Sequence, residues 1–187
     1  YQNDASYENK IDAYPSSQGQ KGIHIGILHG TYSKSNAKDR YTEFILEDLN
    51  KKLYHYWALG HIHERQTLSE MPQIQYPGNI QGRHFKEQGE KGCLLVEGDH
   101  LKLTAQFIAT QHIRFEQAQI TSDKTTKQGL FEEIQSFKAS VREQGKAIYR
   151  LDVLVNSDQA ISQQDKLQVQ EMISDYEKNE HNFVFIE

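Results

Sequence analysis

Three of the nine histidines stand in segments whose residue types and spacing could bind a metal ion. His29 ends an apolar run at 24–28, and a second apolar run leads into Gly60, His61 and, two residues further, His63. In an extended segment, residues two apart point to the same side, so His61 and His63 would present two imidazoles together. Imidazole suits zinc, iron and manganese. The spacing therefore predicts a metal site built from the three histidines; in the alternative, they are structural.

Two buried β-strands would have to position these side chains. The apolar run at 24–28 stops abruptly before His29-Gly30, and the run at 54–59 stops before Gly60-His61. Loops at the ends of strands are where α/β proteins place ligand-binding and catalytic groups. If the two strands are neighbours, His29 and His61 should lie close together.

The rest of the chain is patterned first as short strands and then as a small α/β unit. Strands are predicted at 73–76, 92–97 and 101–109, with a turn at Pro77-Gly78 and a hairpin turn at Gly98-Asp99-His100. From residue 113 the predicted order is strand 113–120, a helix capped by Ser122-Asp123 and ended by Gly145, strand 147–155, helix 163–178 and strand 183–186.

Composition and charge narrow the class of protein. A hydrophobic fraction of 36% with ten tyrosines and eight phenylalanines is enough for a core, so we expect a soluble globular protein. The net charge of -5 argues against a large non-specific nucleic-acid surface, since such surfaces are basic. No apolar run approaches the roughly 20 residues that cross a bilayer. We therefore expect no membrane association and a cytoplasmic location.

The single cysteine and the first residues carry two further expectations. Cys93 lies in the apolar segment 91–96 and cannot form an internal disulfide, so it is expected in the core as a small hydrophobe. The segment from Tyr1 to Asp4 has neither an initiator methionine nor the pattern of a signal peptide. We interpret the chain as a segment of a longer gene product.

The histidine segments resemble the last two signature motifs of the calcineurin-like metallophosphoesterases. The stretch YWALGHIH at 56–63, followed by YPGNIQGR at 76–83, is similar to DNA repair exonucleases of the SbcD and YhaO type. The stretch EQGEKGC at 87–93 is similar to the YhaO-like branch. The likeness covers roughly residues 20–97, and beyond 121 it depends only on the general pattern of a small appended cap.

This resemblance implies a fold, cofactors and a function. The fold would be α/β: the C-terminal part of a four-layer αββα metallophosphoesterase sandwich at 1–120, with a small α/β cap domain at 121–187. Two divalent metal ions, manganese in this branch, would be held by His29 and His61 on one side and His63 on the other. The implied activity is that of a metal-dependent DNA exonuclease of DNA repair. The implied partners are DNA, an SbcC-like ATPase subunit and a second copy in a homodimer.

Arg83 and His84, after the Pro77-Gly78 turn, are candidate substrate-binding residues. Arginine suits phosphate oxygens, so these side chains could approach a substrate phosphate. In the alternative, they belong to a solvated loop.

The chain also departs from the family, which leaves other functions open. The Asp-x-His pair, the bridging Asp and the Asn-His pair of the family's first motifs are absent, and Asp99-His100 lacks the required spacing. Three histidines are too few ligands for two metals, so no catalytic residue is assigned and the chain alone is expected to be inactive. The alternatives are a metallophosphoesterase for small nucleotides or phosphoproteins, and a non-catalytic binding or scaffold module.

Overall fold

The fold is described from a computed structural model for residues 10–38, 40–142, 145–156, 162–177 and 184–186. The chain divides into two compact units, and it passes from one unit to the other three times. One unit is formed by Tyr1–Ile80 with Lys91–Thr110, and the other by Gln81–Glu90 with Gln111–Glu187.

A four-stranded sheet forms the centre of the first unit. Its strands are β1 (Ile25–His29), β2 (Tyr56–Gly60), β3 (Gln66–Glu70) and β4 (Gln73–Tyr76), in the spatial order β1-β2-β4-β3. The first three strands of that order are parallel, and β3 runs antiparallel to β4. A 3₁₀ turn (Lys10–Ala13) precedes β1, and the short helix α1 (Leu46–Asn50) lies between β1 and β2.

The core of this unit lies on one face of the sheet. Alternate strand residues point to opposite faces, and the buried row is formed by Leu28, Trp57, Leu59, Ile74 and Tyr76. Residues from outside the sheet, Ile11, Phe44 and Leu49, complete the cluster. Gly26 belongs to the same row, and its missing side chain makes room for the indole of Trp57 on the neighbouring strand.

The prediction that β1 is a buried strand is wrong for one of its faces. Gly26 and Leu28 are buried, but Ile25 is 54% and Ile27 75% exposed. The reason is that only alternate side chains of a strand meet the core, and β1 is one of the two edge strands of the sheet. His29 lies on the same exposed row as the two isoleucines.

The predicted hairpin is present as β5 (Gly92–Gly98) and β6 (Leu103–Ala109). Its turn is closed by Asp99, whose carboxylate accepts backbone hydrogen bonds from Leu101 at 2.8 Å and Lys102 at 3.1 Å. The placement of Cys93 in the core is wrong: the thiol is exposed. Cys93 pairs with Ile108 on the outward face of a two-stranded sheet, and an apolar segment that forms such a hairpin can cover only one face.

The second unit contains the predicted strand–helix–strand–helix–strand order. Its elements are β7 (Arg114–Ser122), α2 (Lys127–Val141), β8 (Ala147–Val155), α3 (Gln163–Glu177) and β9 (Val184–Ile186). The strands form a parallel sheet in the order β7-β8-β9. The helices pack on it around the buried residues Leu130, Ile134, Leu151, Val169 and Ile173. The predicted domain boundary between residues 120 and 121 falls within β7; the first residue of the predicted last strand, Phe183, lies outside the described residues.

The predicted cap of the first long helix is wrong by a few residues. The N-cap of α2 is Thr126, whose hydroxyl accepts a hydrogen bond from the backbone N–H of Gly129 at 3.2 Å. Ser122 instead ends β7, where it is buried and its hydroxyl accepts from Lys124. Both serine and threonine are good caps, so the sequence alone did not discriminate between them.

The fold is mixed α/β, with parallel and antiparallel sheets and few helices, as predicted. In the part of the chain that the structure describes, none of the helices has the length and apolar character needed to span a membrane.

Candidate metal centre

The parallel pairing of β1 and β2 brings two of the predicted histidines together. His29 is opposite Gly60 in the register, and the backbone N–H of Gly30 donates to the carbonyl of Gly60 at 3.3 Å. Both strands therefore end at the same edge, and the next residue after Gly60 is His61. The imidazole centroids of His29 and His61 lie 5.3 Å apart with their planes at 69°. The predicted proximity of these two side chains is thus present.

Gly60 leaves room for the imidazole of His29. A Cβ at Gly60 would lie 3.0 Å from Nδ1 of His29, which is tighter than an ordinary van der Waals contact. A side chain at this position would make the imidazole of His29 shift by a few tenths of an ångström. The glycine before His61 therefore has a steric role beside its role in ending the strand.

His61 has an unusual backbone conformation. Its φ is +102°, in a region that residues with a Cβ rarely adopt. Such conformations cost on the order of 1–3 kcal/mol, persist only where the surroundings enforce them, and cluster at functional sites. The outlier marks His61, among the histidines of the described residues, as the one whose backbone is held in a strained state.

The electrostatics of the pair favour a neutral imidazole at His29. Partial desolvation lowers the pKa of His29, and the positive charge that His61 would carry lowers it further. Metal ions bind the neutral form of histidine, so a lowered pKa keeps His29 ready to act as a ligand at neutral pH. Two adjacent imidazoles of this kind fit part of the ligand set of a divalent metal ion.

A third ring, which the sequence did not indicate, lies against His61. The ring of Tyr41 is edge-on to the imidazole of His61, with centroids 5.0 Å apart and planes at 68°. Tyr41 directly follows a polar stretch at 31–40, and no element was predicted for it from the sequence pattern. No local motif distinguishes this tyrosine from the other nine, so only the folded chain could show it.

A buried tyrosine supports the backbone of the residues that follow His29. The hydroxyl of Tyr76 donates to the carbonyl of Gly30 at 2.7 Å and accepts from the backbone N–H of Tyr32 at 3.2 Å. Tyr76 is completely buried, and burial raises its pKa to about 12 although the hydrogen bond from Tyr32 opposes the shift. The hydroxyl therefore stays protonated and keeps the loop after His29 in place.

The third predicted ligand, His63, lies beyond the end of the strand that leads to His61. β2 ends at Gly60, and His61 has a positive φ, so residues 61–63 do not continue the strand. The backbone of His63 packs closely against Gly78, and its carbonyl accepts from Asn79 at 3.1 Å. Within the described ranges, no group of three or more His, Cys, Asp or Glu side chains is arranged to hold a metal ion. The role of His63 as a ligand stays a prediction.

The predicted substrate-binding residues are engaged with a buried carboxylate. The guanidinium of Arg83 lies 3.1 Å from a carboxylate oxygen of Glu87, and the imidazole of His84 lies 3.9 Å from the same oxygen. Glu87 is 7% exposed and raises the pKa of Arg83 by hydrogen bonding and by charge. This ion pair closes the turn 83–87. The role of Arg83 and His84 in substrate binding stays a prediction.

Comparison with known proteins gives one informative relative. No family profile matches the sequence. The chain is 38% identical over 150 residues to an uncharacterized metallophosphoesterase, YhaO, of Bacillus subtilis strain 168. The aligned part is 79% of this chain and 36% of the relative, so the chain spans about a third of the relative's length. An aligned stretch of this length cannot avoid the middle of a 187-residue chain and therefore includes residues 60–63. The similarity supports the metallophosphoesterase family for this chain.

Proposed function

We propose that this chain supplies part of the metal centre of a metallophosphoesterase that hydrolyses phosphodiester bonds in DNA, as an exonuclease of DNA repair. The observation that carries the proposal is the pairing of His29 with His61 at the ends of two neighbouring parallel strands, with a backbone outlier at His61. The name of the Bacillus relative agrees with the phosphoesterase part of the proposal.

In this proposal His29 and His61 hold one divalent metal ion, manganese, and His63 contributes to a second. When bound, such ions supply Lewis acidity toward a phosphoryl oxygen and lower the pKa of a coordinated water. The chain's own part is to hold the imidazoles of His29 and His61 close together at the ends of two strands. The register of β1 and β2 sets their separation, and Gly60 leaves the space for His29.

The remaining ligands would come from other parts of the enzyme. Two imidazoles are fewer than the three protein ligands of a catalytic zinc site. We therefore expect the 187-residue chain to bind metal weakly and to have no nuclease activity alone. Manganese-dependent hydrolysis of DNA by this chain would contradict that expectation.

Metal binding by the chain itself is the first test. Mn²⁺ should bind to the wild-type chain and at least roughly tenfold more weakly to His29→Ala and His61→Ala, since loss of even an outer-shell partner costs 10–100-fold in metal affinity. His100→Ala is the matched control, because it removes an imidazole at the tip of the β5–β6 hairpin. Equal Mn²⁺ affinity in all four proteins would mean that the histidine pair is structural and would favour the scaffold function.

The substrate is tested in a longer polypeptide of the length of the Bacillus relative. End-labelled DNA, small nucleotides and a phosphoprotein should be offered with Mn²⁺ or with a chelator. The proposal requires metal-dependent removal of nucleotides from DNA ends that is lost when His61 and His63 are both replaced by alanine. Hydrolysis of the small nucleotides or the phosphoprotein without DNA cleavage would keep the phosphoesterase and reject the exonuclease. An SbcC-like ATPase subunit and homodimer formation belong to the same proposal, as does the cytoplasmic location.

A further inference from the structure

The imidazole of His61 contacts two aromatic rings. The ring centroid of His29 lies 5.3 Å away with the planes at 69°, and that of Tyr41 lies 5.0 Å away with the planes at 68°. Edge-to-face contact at this distance is a favourable geometry for aromatic pairs and depends on the orientation of both rings. Tyr41 is therefore placed to influence how the imidazole of His61 is turned.

The loop that carries Tyr41 is fixed at its backbone. Thr31 is completely buried and bonds to Tyr41 twice: its N–H donates to the carbonyl of Tyr41 at 2.8 Å, and its hydroxyl accepts from the N–H of Tyr41 at 3.0 Å. The carbonyl of Thr31 also accepts from Phe44 at 3.2 Å. Thr31 follows Gly30 directly after β1, so the position of Tyr41 is coupled to the strand that ends in His29.

The approach of the loop depends on Gly30. A Cβ at Gly30 would lie 2.6 Å from the carbonyl oxygen of Thr42, a contact with backbone that could not be relieved by moving a side chain. Arg40 and Glu43, which flank Tyr41 in the sequence, form an ion pair with each other. The backbone that carries Tyr41 is therefore held by contacts on both sides of it in the sequence.

The ring of Tyr41 does not serve the core. It is 40% exposed, and it is absent from the buried cluster that Phe44, three residues later, helps to form. The loop holds a large, partly exposed ring against a histidine with a strained backbone. This arrangement indicates that Tyr41 acts on His61 rather than on the core.

We propose that Tyr41 is a positioning residue for His61. Its ring holds the imidazole in the orientation that faces His29. The hydrogen bonds between Thr31 and Tyr41 fix the position of that ring relative to the end of β1. The consequence for metal binding rests on the proposed function, but the orientation of His61 does not.

The test uses the full 187-residue chain and compares wild type, Tyr41→Phe and Tyr41→Ala by NMR of the histidine side chains. The His61 signals are identified by their loss in His61→Ala. A ring edge-on to an imidazole shifts its proton signals, so Tyr41→Ala should move the His61 signals and remove the cross-relaxation between residues 41 and 61. Tyr41→Phe keeps the ring and should preserve the signals, while the His100 signals should be unchanged in all variants.

Mn²⁺ provides the second measurement. Paramagnetic broadening of the His29 and His61 signals should require about tenfold more Mn²⁺ in Tyr41→Ala, the lower limit for loss of a supporting partner, and wild-type amounts in Tyr41→Phe. The variant Thr31→Val loosens the loop without touching the ring, and it should shift the His61 signals in the same direction as Tyr41→Ala. Matching urea midpoints among the variants would show that the fold is retained.

The outcomes separate the two proposals. If the His61 signals follow the Tyr41 variants while none of the proteins binds Mn²⁺, the positioning role stands and the metal centre fails. If Mn²⁺ broadens His29 and His61 equally in wild type and Tyr41→Ala, and the His61 signals do not move, the metal centre stands and the positioning role is wrong.

Discussion

Replacing Gly26 with alanine should destabilise the four-stranded sheet through one steric contact. The added Cβ would lie 2.3 Å from Cε3 and 2.4 Å from Cζ3 of Trp57, more than about 1 Å inside the normal carbon–carbon separation of roughly 3.5–4.0 Å. The indole has no room to retreat: it is completely buried, stacked on Tyr54 at 5.0 Å and packed against Tyr14 at 5.3 Å.

The size of the effect follows from two opposing terms. Overpacking a core costs about 1–3 kcal/mol, and the severity of this contact places it near 3 kcal/mol. Alanine also reduces the conformational entropy of the unfolded chain, which stabilises the folded state by about 0.4–1 kcal/mol. We therefore expect the free energy of unfolding to fall by about 2 kcal/mol. With a urea dependence of about 2 kcal/mol per molar, the midpoint should fall by about 1 M.

Trp57 serves as the probe of unfolding, and Gly60→Ala serves as the control variant. Trp57 is the single tryptophan, so its fluorescence follows the unfolding of the unit that contains it, with circular dichroism as a second signal. Gly60→Ala is the same chemical change on the neighbouring strand, but its contact, at 3.0 Å, is with the exposed and rotatable side chain of His29. It should change the free energy of unfolding by less than about 1 kcal/mol. The reasoning is refuted if Gly26→Ala lies within about 0.5 kcal/mol of wild type, or if both variants lose the same stability.

Three further predictions concern other contacts. Tyr76→Phe removes a buried hydroxyl that bonds two backbone groups, at 2.7 and 3.2 Å, so the free energy of unfolding in urea should fall by about 1–3 kcal/mol. Thr126→Ala removes the cap of α2 and should cost about 1 kcal/mol, measured by circular dichroism during urea unfolding. In an NMR titration the pKa of His29 should lie below 6.5 and should rise in His61→Ala, because one of the two causes that lower it is removed. Since the folded state disfavours protonation of His29, this residue should reduce stability as the pH falls below 6.5, and the pH dependence should be weaker in His61→Ala.

Results that would contradict these three predictions are equally specific. An unchanged urea midpoint in Tyr76→Phe would mean that water replaces the hydroxyl. An unchanged unfolding transition of Thr126→Ala would mean that another group caps α2. A pKa of His29 that does not move in His61→Ala would mean that the two rings do not interact electrostatically.

Local patterns were sufficient for most of the elements. The strands of the first unit, the hairpin at residues 92–109 and the α/β order after residue 113 follow from apolar periodicity and from turn residues, which act over a few neighbours. The same local signals could not say which face of β1 or of the hairpin is covered. Burial depends on what packs against a strand, and for this reason Ile27 and Cys93 were wrongly expected inside.

The candidate site was predictable in part for the same reason. The types and spacing of His29, Gly60 and His61 indicated a metal site, and their proximity required only that the two strands be parallel neighbours. The backbone at His61 could not be predicted, because the apolar run indicates a strand but not the positive φ that follows its last residue. Backbone strain of this kind is imposed by contacts distant in sequence.

By itself, the sequence determined the α/β class, the succession of strands and helices and the choice of histidines as the candidate ligands. Each of these depends on residue type and on spacing along the chain, so it is encoded locally. Only the tertiary structure decided which imidazoles meet, that Gly26 and Gly60 make room for Trp57 and His29, and that Tyr41 reaches His61 from a loop. These features depend on distances between residues that are far apart in the chain, and such distances exist only after the chain has folded.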